Sequence, residues 1–263
     1  MLTKLIKYDS KSIFKGLIFF YILAIFFSLL TRIFLNIDNS LIMNIIGKIC
    51  SGVTISMIFN IIINNIMRLW GKFRQNLYGD ESYLTHTLPI DKKTIYLSKV
   101  MTSLVTMFTS VIIIAITLFI AYYSKENITI LKNLLIPIAA AYNSTIVKFL
   151  VAFLFILFLE LFNALQSGYT GIILGHKMNN AKIAYSVLFG FGAYMITQTI
   201  GLLLVFIIGI FNPDIMNLFI TNNMISIEMI KSVVYASIIY YSISIVIMYI
   251  INLIIFKNGV NVE

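Results

Sequence analysis

The clearest indication of the fold is residues 100–123, which read VMTSLVTMFTSVIIIAITLFIAYY and contain no charged residue. A bilayer core about 30 Å thick needs roughly 20 helical residues to cross it, so this run is long enough to span a membrane. Similar apolar runs lie at 16–37, 45–67, 149–174, 184–211 and 233–256. Because a backbone in lipid must satisfy its own hydrogen bonds, the pattern predicts an all-α membrane protein with six transmembrane helices.

The composition supports the same class of protein. Hydrophobic residues make up 60% of the chain and charged residues only 11%, whereas a soluble domain is about one quarter charged. The segments between the apolar runs are too short for a water-soluble domain of ordinary size. We therefore expect a single transmembrane domain over residues 1–263.

The formal net charge of +9 is better explained by membrane topology than by a nucleic-acid partner. If both termini are cytoplasmic, 13 of the 19 Lys and Arg residues lie in inside segments and 6 in outside segments. Positive charge marks the cytoplasmic side, so the pattern predicts 68–98 inside, with 124–147 and 212–231 outside. Within 124–147, Pro137 is expected to interrupt a helix.

Residues 1–15 are predicted to form an amphipathic interfacial helix before the first span. Its lysines share one helical face: Lys4, Lys7, Lys11 and Lys15. Apolar residues fall on the opposite face, where Asp9 interrupts them: Leu2, Leu5, Ile6 and Ile13. Such a helix lies in the headgroup plane with its lysines toward anionic lipid. It is interpreted either as a simple positive-inside anchor or as a helix that also braces a cytoplasmic partner.

The segment between spans 2 and 3, residues 68–98, reads RLWGKFRQNLYGDESYLTHTLPIDKKTIYLS. Gly79 predicts the end of the second helix, and residues 80–82 favour the start of a short helix by capping its first N–H groups. Pro89 ends that helix, and Asp91 is expected to cap the third spanning helix. The pattern predicts a cytoplasmic helical elbow, and an ordinary solvated loop is the alternative.

Residues 71–90, GKFRQNLYGDESYLTHTLPI, resemble a stretch of the ABC-2-type transporter permeases of low-GC Gram-positive bacteria. In that family a pattern like YGDEGYLTxTLP lies between the second and third spans. Ser82 stands where glycine is common, and His86 lies in the variable part. The resemblance implies that residues 1–263 are the transmembrane permease subunit of an ATP-driven exporter in a bacterial cell membrane.

The resemblance also implies partners for this subunit. In such permeases the loop carries a coupling helix that seats on a separate ATPase subunit, so ABC ATPase subunits are expected partners. The implied contact residues are consecutive: Asp80, Glu81, Ser82, Tyr83, Leu84, Thr85, His86 and Thr87. A second permease copy or paralogue would complete the path, surrounded by membrane lipids. Antimicrobial peptides, lantibiotics, drugs and lipids are all compatible substrates.

No catalytic, cofactor-binding or metal-binding residue is predicted on this chain. The phosphate-binding pattern GxxxxGK[ST] does not occur in the sequence, so ATP and Mg²⁺ are expected on the partner ATPase. His86 and His176 are the only histidines, too few for a multi-histidine metal site, and the lone Cys50 cannot form an internal disulfide. We therefore do not expect this subunit to be an enzyme.

Glu160 is an acidic residue deep inside the fourth apolar run. A charge there costs at least about 2.5 kcal/mol by insertion scales, so this side chain should face protein or water. Asn163 lies on the same helical face, and Gln198 is a polar residue of the fifth run. These residues form either a translocation path or hydrogen bonds that pack the helices. Gly171 and Gly175 have the small-xxx-small spacing that permits close helix approach.

A second class of function remains open from the sequence. A non-transporting membrane partner, such as an immunity or sensory protein that binds an antimicrobial peptide or a kinase, would have the same spans and the same exposed loop. It would differ from a permease in having no ATPase bound to residues 68–98.

Overall fold

The computed structural model describes residues 1–37, 41–141, 145–211, 216 and 227–258. Every secondary-structure element within these residues is helical, and six of the helices are long and apolar enough to cross a membrane. The prediction of an all-α, multi-pass membrane protein is therefore confirmed.

The first compact unit covers residues 1–129. Its long helices are α1 (Leu2–Leu35), α2 (Leu41–Leu77) and α4 (Lys92–Tyr122), and the short helix α3 (Ser82–Thr87) lies between α2 and α4. Helix α1 packs against both α2 and α4. The 34 residues of α1 extend about 50 Å at 1.5 Å per residue, which exceeds a hydrocarbon core of about 30 Å. Part of this helix therefore lies beyond the hydrocarbon.

The second compact unit covers residues 130–263. Its long helices are α6 (Ile146–Gly175), α7 (Lys182–Phe211) and α8 (Ile227–Lys257). Helix α6 packs against both α7 and α8. Helix α5 (Lys125–Ala141) begins within the sequence range of the first unit and ends within that of the second. That residues 1–263 act as one domain stays a prediction.

Small residues bring α6 and α7 close together. A Cβ atom at Gly171 would collide with the carbonyl oxygen of Ser186 and with the backbone of Gly190, and one at Gly175 would collide with Ser186 as well. In lipid, helices associate through close backbone packing because no hydrophobic force drives them together. The predicted small-residue contact is confirmed, and it requires glycine at both positions.

The amphipathic N-terminal segment is continuous with the first span. Helix α1 begins at Leu2 and has no break between residues 1–15 and the apolar run that follows. Asp9 and Ile13 are buried, whereas the four lysines of the segment are exposed. The amphipathic pattern is therefore present in the fold, and the placement of residues 1–15 at a membrane interface stays a prediction.

The two predicted outside segments have different outcomes. Helix α5 continues through Pro137 to Ala141, so the expectation that this proline interrupts a helix is wrong. Pro137 lies near the end of the helix, where its missing N–H removes one hydrogen bond of the last turns instead of dividing a long helix. In the other segment, residues 212–215 and 217–226 lie outside the described residues, and α8 begins at Ile227.

Candidate functional site

The elbow, residues 78–91, begins with a turn held by backbone hydrogen bonds. The N–H groups of Tyr78 and Gly79 both donate to the carbonyl of Arg74, at 2.8 and 3.0 Å, and Ser82 N–H donates to the carbonyl of Gly79 at 2.9 Å. The side chain of Tyr78 is buried in the first unit, and this burial raises the pKa of its phenol above the usual range. The chain therefore leaves α2 through a fixed turn.

Helices α3 and α4 begin where the sequence predicts, but the side chains predicted to cap them make no capping hydrogen bond. The helices begin at Ser82 and Lys92, and neither Glu81 nor Asp91 makes a side-chain capping hydrogen bond. The carboxylate of Glu81 instead accepts two hydrogen bonds from Lys72 Nζ, at 3.0 and 2.8 Å. A full positive charge attracts the carboxylate more strongly than the backbone N–H groups of a six-residue helix do.

The inner face of α3 is fixed to the end of α2. The Nε2 atom of His86 lies 3.1 Å from the carbonyl oxygen of Leu77, and Ser82 is buried. Thr85 Oγ1 donates to the carbonyl of Glu81 at 3.1 Å, which holds the first turn of α3. These contacts pack the inner face of α3 against the end of α2.

The outer face of α3 exposes large apolar side chains. Tyr83 is 76% exposed and Leu84 is 68% exposed, and Leu88 is exposed just after the helix. We call these three residues the elbow tip. Among the remaining predicted contact residues, Asp80 and Thr87 are exposed. Apolar side chains grouped on a fixed scaffold are typical of a protein-binding surface.

A buried ion pair joins three helices of the first unit. Lys99 Nζ on α4 lies 2.6 Å from Asp9 Oδ2 on α1, with the two side chains 8% and 11% exposed. Asn76 Nδ2 in the last turn of α2 donates to Asp9 Oδ1 at 3.2 Å. The start of α1, the end of α2 and the start of α4 therefore lie at the same end of this unit, next to the elbow.

Sequence reasoning alone does not pair Asp9 with Lys99, because the two residues are 90 positions apart. The signal that could have found this site is the position of Asp9 on the apolar face of an otherwise basic helix. A carboxylate on a buried face needs a cationic or hydrogen-bonding partner. That requirement predicts a partner but does not identify it.

In the second unit, the side chain of Asn163 makes hydrogen bonds to two neighbouring helices. Its Nδ2 atom donates to Thr197 Oγ1 on α7 at 3.1 Å, and its Oδ1 atom accepts from Ser244 Oγ on α8 at 3.0 Å. The side chain is fully buried. Asn163 therefore bonds α6 to two other helices, which favours the packing interpretation over the path interpretation for this residue.

Glu160 and Gln198 have fewer partners. Glu160 makes no ion pair or hydrogen bond with the part of the chain that the structure describes, although its carboxyl group interacts electrostatically with Tyr194 and Tyr241. Tyr241 donates from its hydroxyl to Gln198 Oε1 at 3.3 Å. Gln198 Nε2 is buried and has no hydrogen-bond partner among the described residues. Two of the three predicted path residues thus share Tyr241 as a neighbour.

Gln198 and Tyr241 also line a cavity of about 650 Å³ between α7 and α8. Most of its lining is apolar: Leu204, Val205, Ile208, Ile247, Met248 and Ile251. Ligand sites are usually concave and apolar, with a few polar groups that orient the ligand. This cavity is mainly apolar, and Gln198 and Tyr241 are among the polar groups of its lining.

Neither a metal centre nor a known relative adds to this description. Among the residues that the structure describes, no group of three or more His, Cys, Asp or Glu side chains could hold a metal ion. Compared with known proteins, the chain matches no protein-family profile, no curated protein and no solved structure. The resemblance to ABC-2-type permeases therefore rests mainly on residues 71–90.

Proposed function

We propose that this chain is the transmembrane permease subunit of an ATP-driven ABC-type exporter, and that its elbow tip binds a separate ATPase. The observation that carries the proposal is the exposure of Tyr83 and Leu84 on a helix whose other face is bonded to α2. A flexible loop would absorb the movement of a motor protein. A short helix fixed to a spanning helix moves that helix with it.

The contacts around the elbow supply a route for this movement. Force on α3 reaches α2 through the contact of His86 with Leu77. It reaches α1 and α4 through Asp9, which is bonded to Asn76 and to Lys99. All three spanning helices of the first unit are therefore connected to the proposed ATPase contact.

The proposed orientation has both termini and the elbow in the bacterial cytoplasm, with residues 1–15 at the membrane interface. It is supported by the placement of 13 of the 19 Lys and Arg residues in inside segments. ATP and Mg²⁺ would bind to the partner ATPase, which would also hydrolyse the ATP. Six spans form too thin a wall to enclose a path, so a second permease copy or paralogue would complete it.

The proposed path uses Glu160 and Gln198 in the second unit. Both are polar residues within spanning helices, and neither has all of its polar atoms bonded within the described residues. Alternating access would present this region first to one side of the membrane and then to the other. Asn163 would keep α6, α7 and α8 together during that change.

The coupling proposal is tested by truncating the elbow tip in the full-length chain. Tyr83→Ala and Leu84→Ala should each weaken binding of the ATPase, because truncating an interface hot spot costs at least about 2 kcal/mol, or roughly 30-fold in affinity. The matched control is Lys93→Gln, an exposed residue outside the elbow tip, which should change binding little. Binding is measured by purifying each variant from native membranes and quantifying the co-purified ATPase by mass spectrometry.

Two outcomes would contradict the proposal. If the ATPase is recovered fully after residues 80–87 are replaced by a Gly/Ser linker, the elbow is not the coupling contact. If the wild-type chain co-purifies with a kinase or an antimicrobial peptide and with no ATPase, the chain is the non-transporting partner that the sequence left as an alternative.

A further inference from the structure

A second feature of the first unit lies on the groove between α1 and α2. The guanidinium group of Arg68 on α2 lies directly against Gly16 on α1, where a Cβ atom would collide with Nη1 and Cζ and would stand 2.9 Å from Nε. Glycine in a helix interior costs about 1 kcal/mol relative to alanine. At position 16 the absence of a side chain makes room for this guanidinium.

The guanidinium has no partner of its own among the described residues. Arg68 is exposed and makes no hydrogen bond or ion pair there. The acidic residue of α1, Asp9, is bonded to Lys99 and does not neutralise this region. The Arg68 guanidinium is therefore a positive charge that no anion of the described chain neutralises.

The groove lies where the apolar runs of α1 and α2 end, which is the level expected for lipid headgroups. Gly16 begins the apolar run 16–37, and Arg68 follows the apolar run 45–67. From Gly16 toward the membrane interior, Phe20 and Leu23 lie on the same helical face and are half-buried. A phosphate at the guanidinium would thus have apolar surface next to it on the side where acyl chains lie.

We propose that the α1–α2 groove binds the phosphate of an anionic glycerophospholipid, with Arg68 as its principal ligand. The planar guanidinium offers two parallel N–H donors to one phosphate, which a lysine cannot do. Gly16 leaves room for the guanidinium against the backbone of α1. The site is independent of the proposed transport function.

The test measures lipids retained by the purified full-length chain in detergent, by native mass spectrometry, after exposure to phosphatidylglycerol or phosphatidylcholine. The wild-type chain should retain phosphatidylglycerol in preference to phosphatidylcholine. Arg68→Gln should lower this retention about tenfold, as expected for the loss of a charge-assisted contact. Gly16→Ala should lower it similarly although it leaves every charge in place, because the added methyl group displaces the guanidinium.

Two further variants keep the test decisive. Lys93→Gln makes the same change in net charge on α4, outside the contact between Arg68 and Gly16, and should retain lipid as the wild type does. Arg68→Lys preserves the charge and removes the paired donors, so it should retain less lipid than the wild type even if Gly16→Ala does not fold.

The proposal is overturned if Lys93→Gln loses as much lipid as Arg68→Gln, since the effect would then be one of diffuse charge. It is also overturned if Arg68→Lys or a folded Gly16→Ala retains lipid like the wild type. Millimolar inorganic phosphate, added as a competitor, should leave most of the lipid bound. Complete displacement would mean that the groove is a site for soluble anions, and the lipid assignment would be wrong.

Discussion

Asp9 in the first unit and Glu160 in the second are both acidic residues within long helices, but their surroundings differ. Asp9 is buried and bonded to Lys99 and Asn76. Glu160 is half-buried and has no bonded partner among the described residues. The difference separates two uses of an acid inside a membrane protein. One carboxyl group joins helices, and the other remains able to contact something that the described chain does not supply.

Asp9 and Glu160 should also differ in how their removal changes the free energy of unfolding. A buried ion pair contributes little net stability relative to apolar residues of the same size, yet removal of one partner leaves an uncompensated charge. Removal of an acid that has no partner leaves no uncompensated charge behind. It removes the unfavourable free energy of keeping that polar group within the span. Stability measurements on single variants should therefore distinguish the two residues by the sign of the effect.

The largest expected effect follows from breaking the buried pair. Asp9→Ala should lower the free energy of unfolding by about 3–5 kcal/mol, because Lys99 is left buried without its carboxylate. The double variant Asp9→Leu with Lys99→Met should recover most of that loss, since neither charge remains. The measurement is denaturant titration of the purified chain in mixed micelles. If the double variant is as unstable as the sum of the two single variants, the residues act through shape and not through their charge.

An intermediate effect of the opposite sign is expected at Glu160. Glu160→Leu should leave the free energy of unfolding unchanged or raise it by up to about 2.5 kcal/mol, because a polar group leaves the span and no bond is lost. Transport should fall if the residue lines the path. The control is Asn163→Leu, which loses two buried hydrogen bonds and should be destabilised by about 1–3 kcal/mol. Equal destabilisation of both variants in the same titration would mean that Glu160 also packs helices.

The smallest effect is expected at the partly exposed ion pair that joins α2 to the elbow. Lys72 and Glu81 have side chains 21% and 40% exposed, and such pairs contribute about 0.2–1 kcal/mol. Lys72→Gln should therefore lower the free energy of unfolding by no more than this amount at low salt. The loss should disappear in 1 M salt, where charges are screened within roughly 3 Å. The loss caused by Asp9→Ala should persist in the same salt. If Lys72→Gln instead lowers the free energy of unfolding by several kcal/mol at every salt concentration, burial does not explain the difference between the two ion pairs.

Much of the fold can be predicted from the sequence because membrane thickness and backbone hydrogen bonding restrict the solutions. The apolar runs predict six spans, and the chemistry of glycine, proline and serine near Ser82 and Pro89 predicts the helix breaks of the elbow. These are local constraints. The capping prediction for Glu81 fails because a lysine nine positions earlier, Lys72, competes with the helix start.

The candidate site is less predictable because it depends on contacts between distant residues. The sequence indicates that Glu160 and Asn163 need protein or water around them, but it does not distinguish which one finds partners. The distinction comes from Thr197 and Ser244, which reach Asn163 from other helices. In the same way, nothing local to Gly16 indicates that the guanidinium of Arg68 lies against it.

The close contact between α6 and α7 has a consequence for the order in which the second unit is assembled during synthesis. The two helices are joined by residues 176–181 alone, so their glycine contact forms between segments that leave the ribosome one after the other. Contacts between neighbouring segments form faster than those across a longer loop. We therefore expect the α6–α7 hairpin to close while α8 is still being made, which cysteine cross-linking of truncated nascent chains would detect. The cavity between α7 and α8 would then be the last part of the unit to take shape.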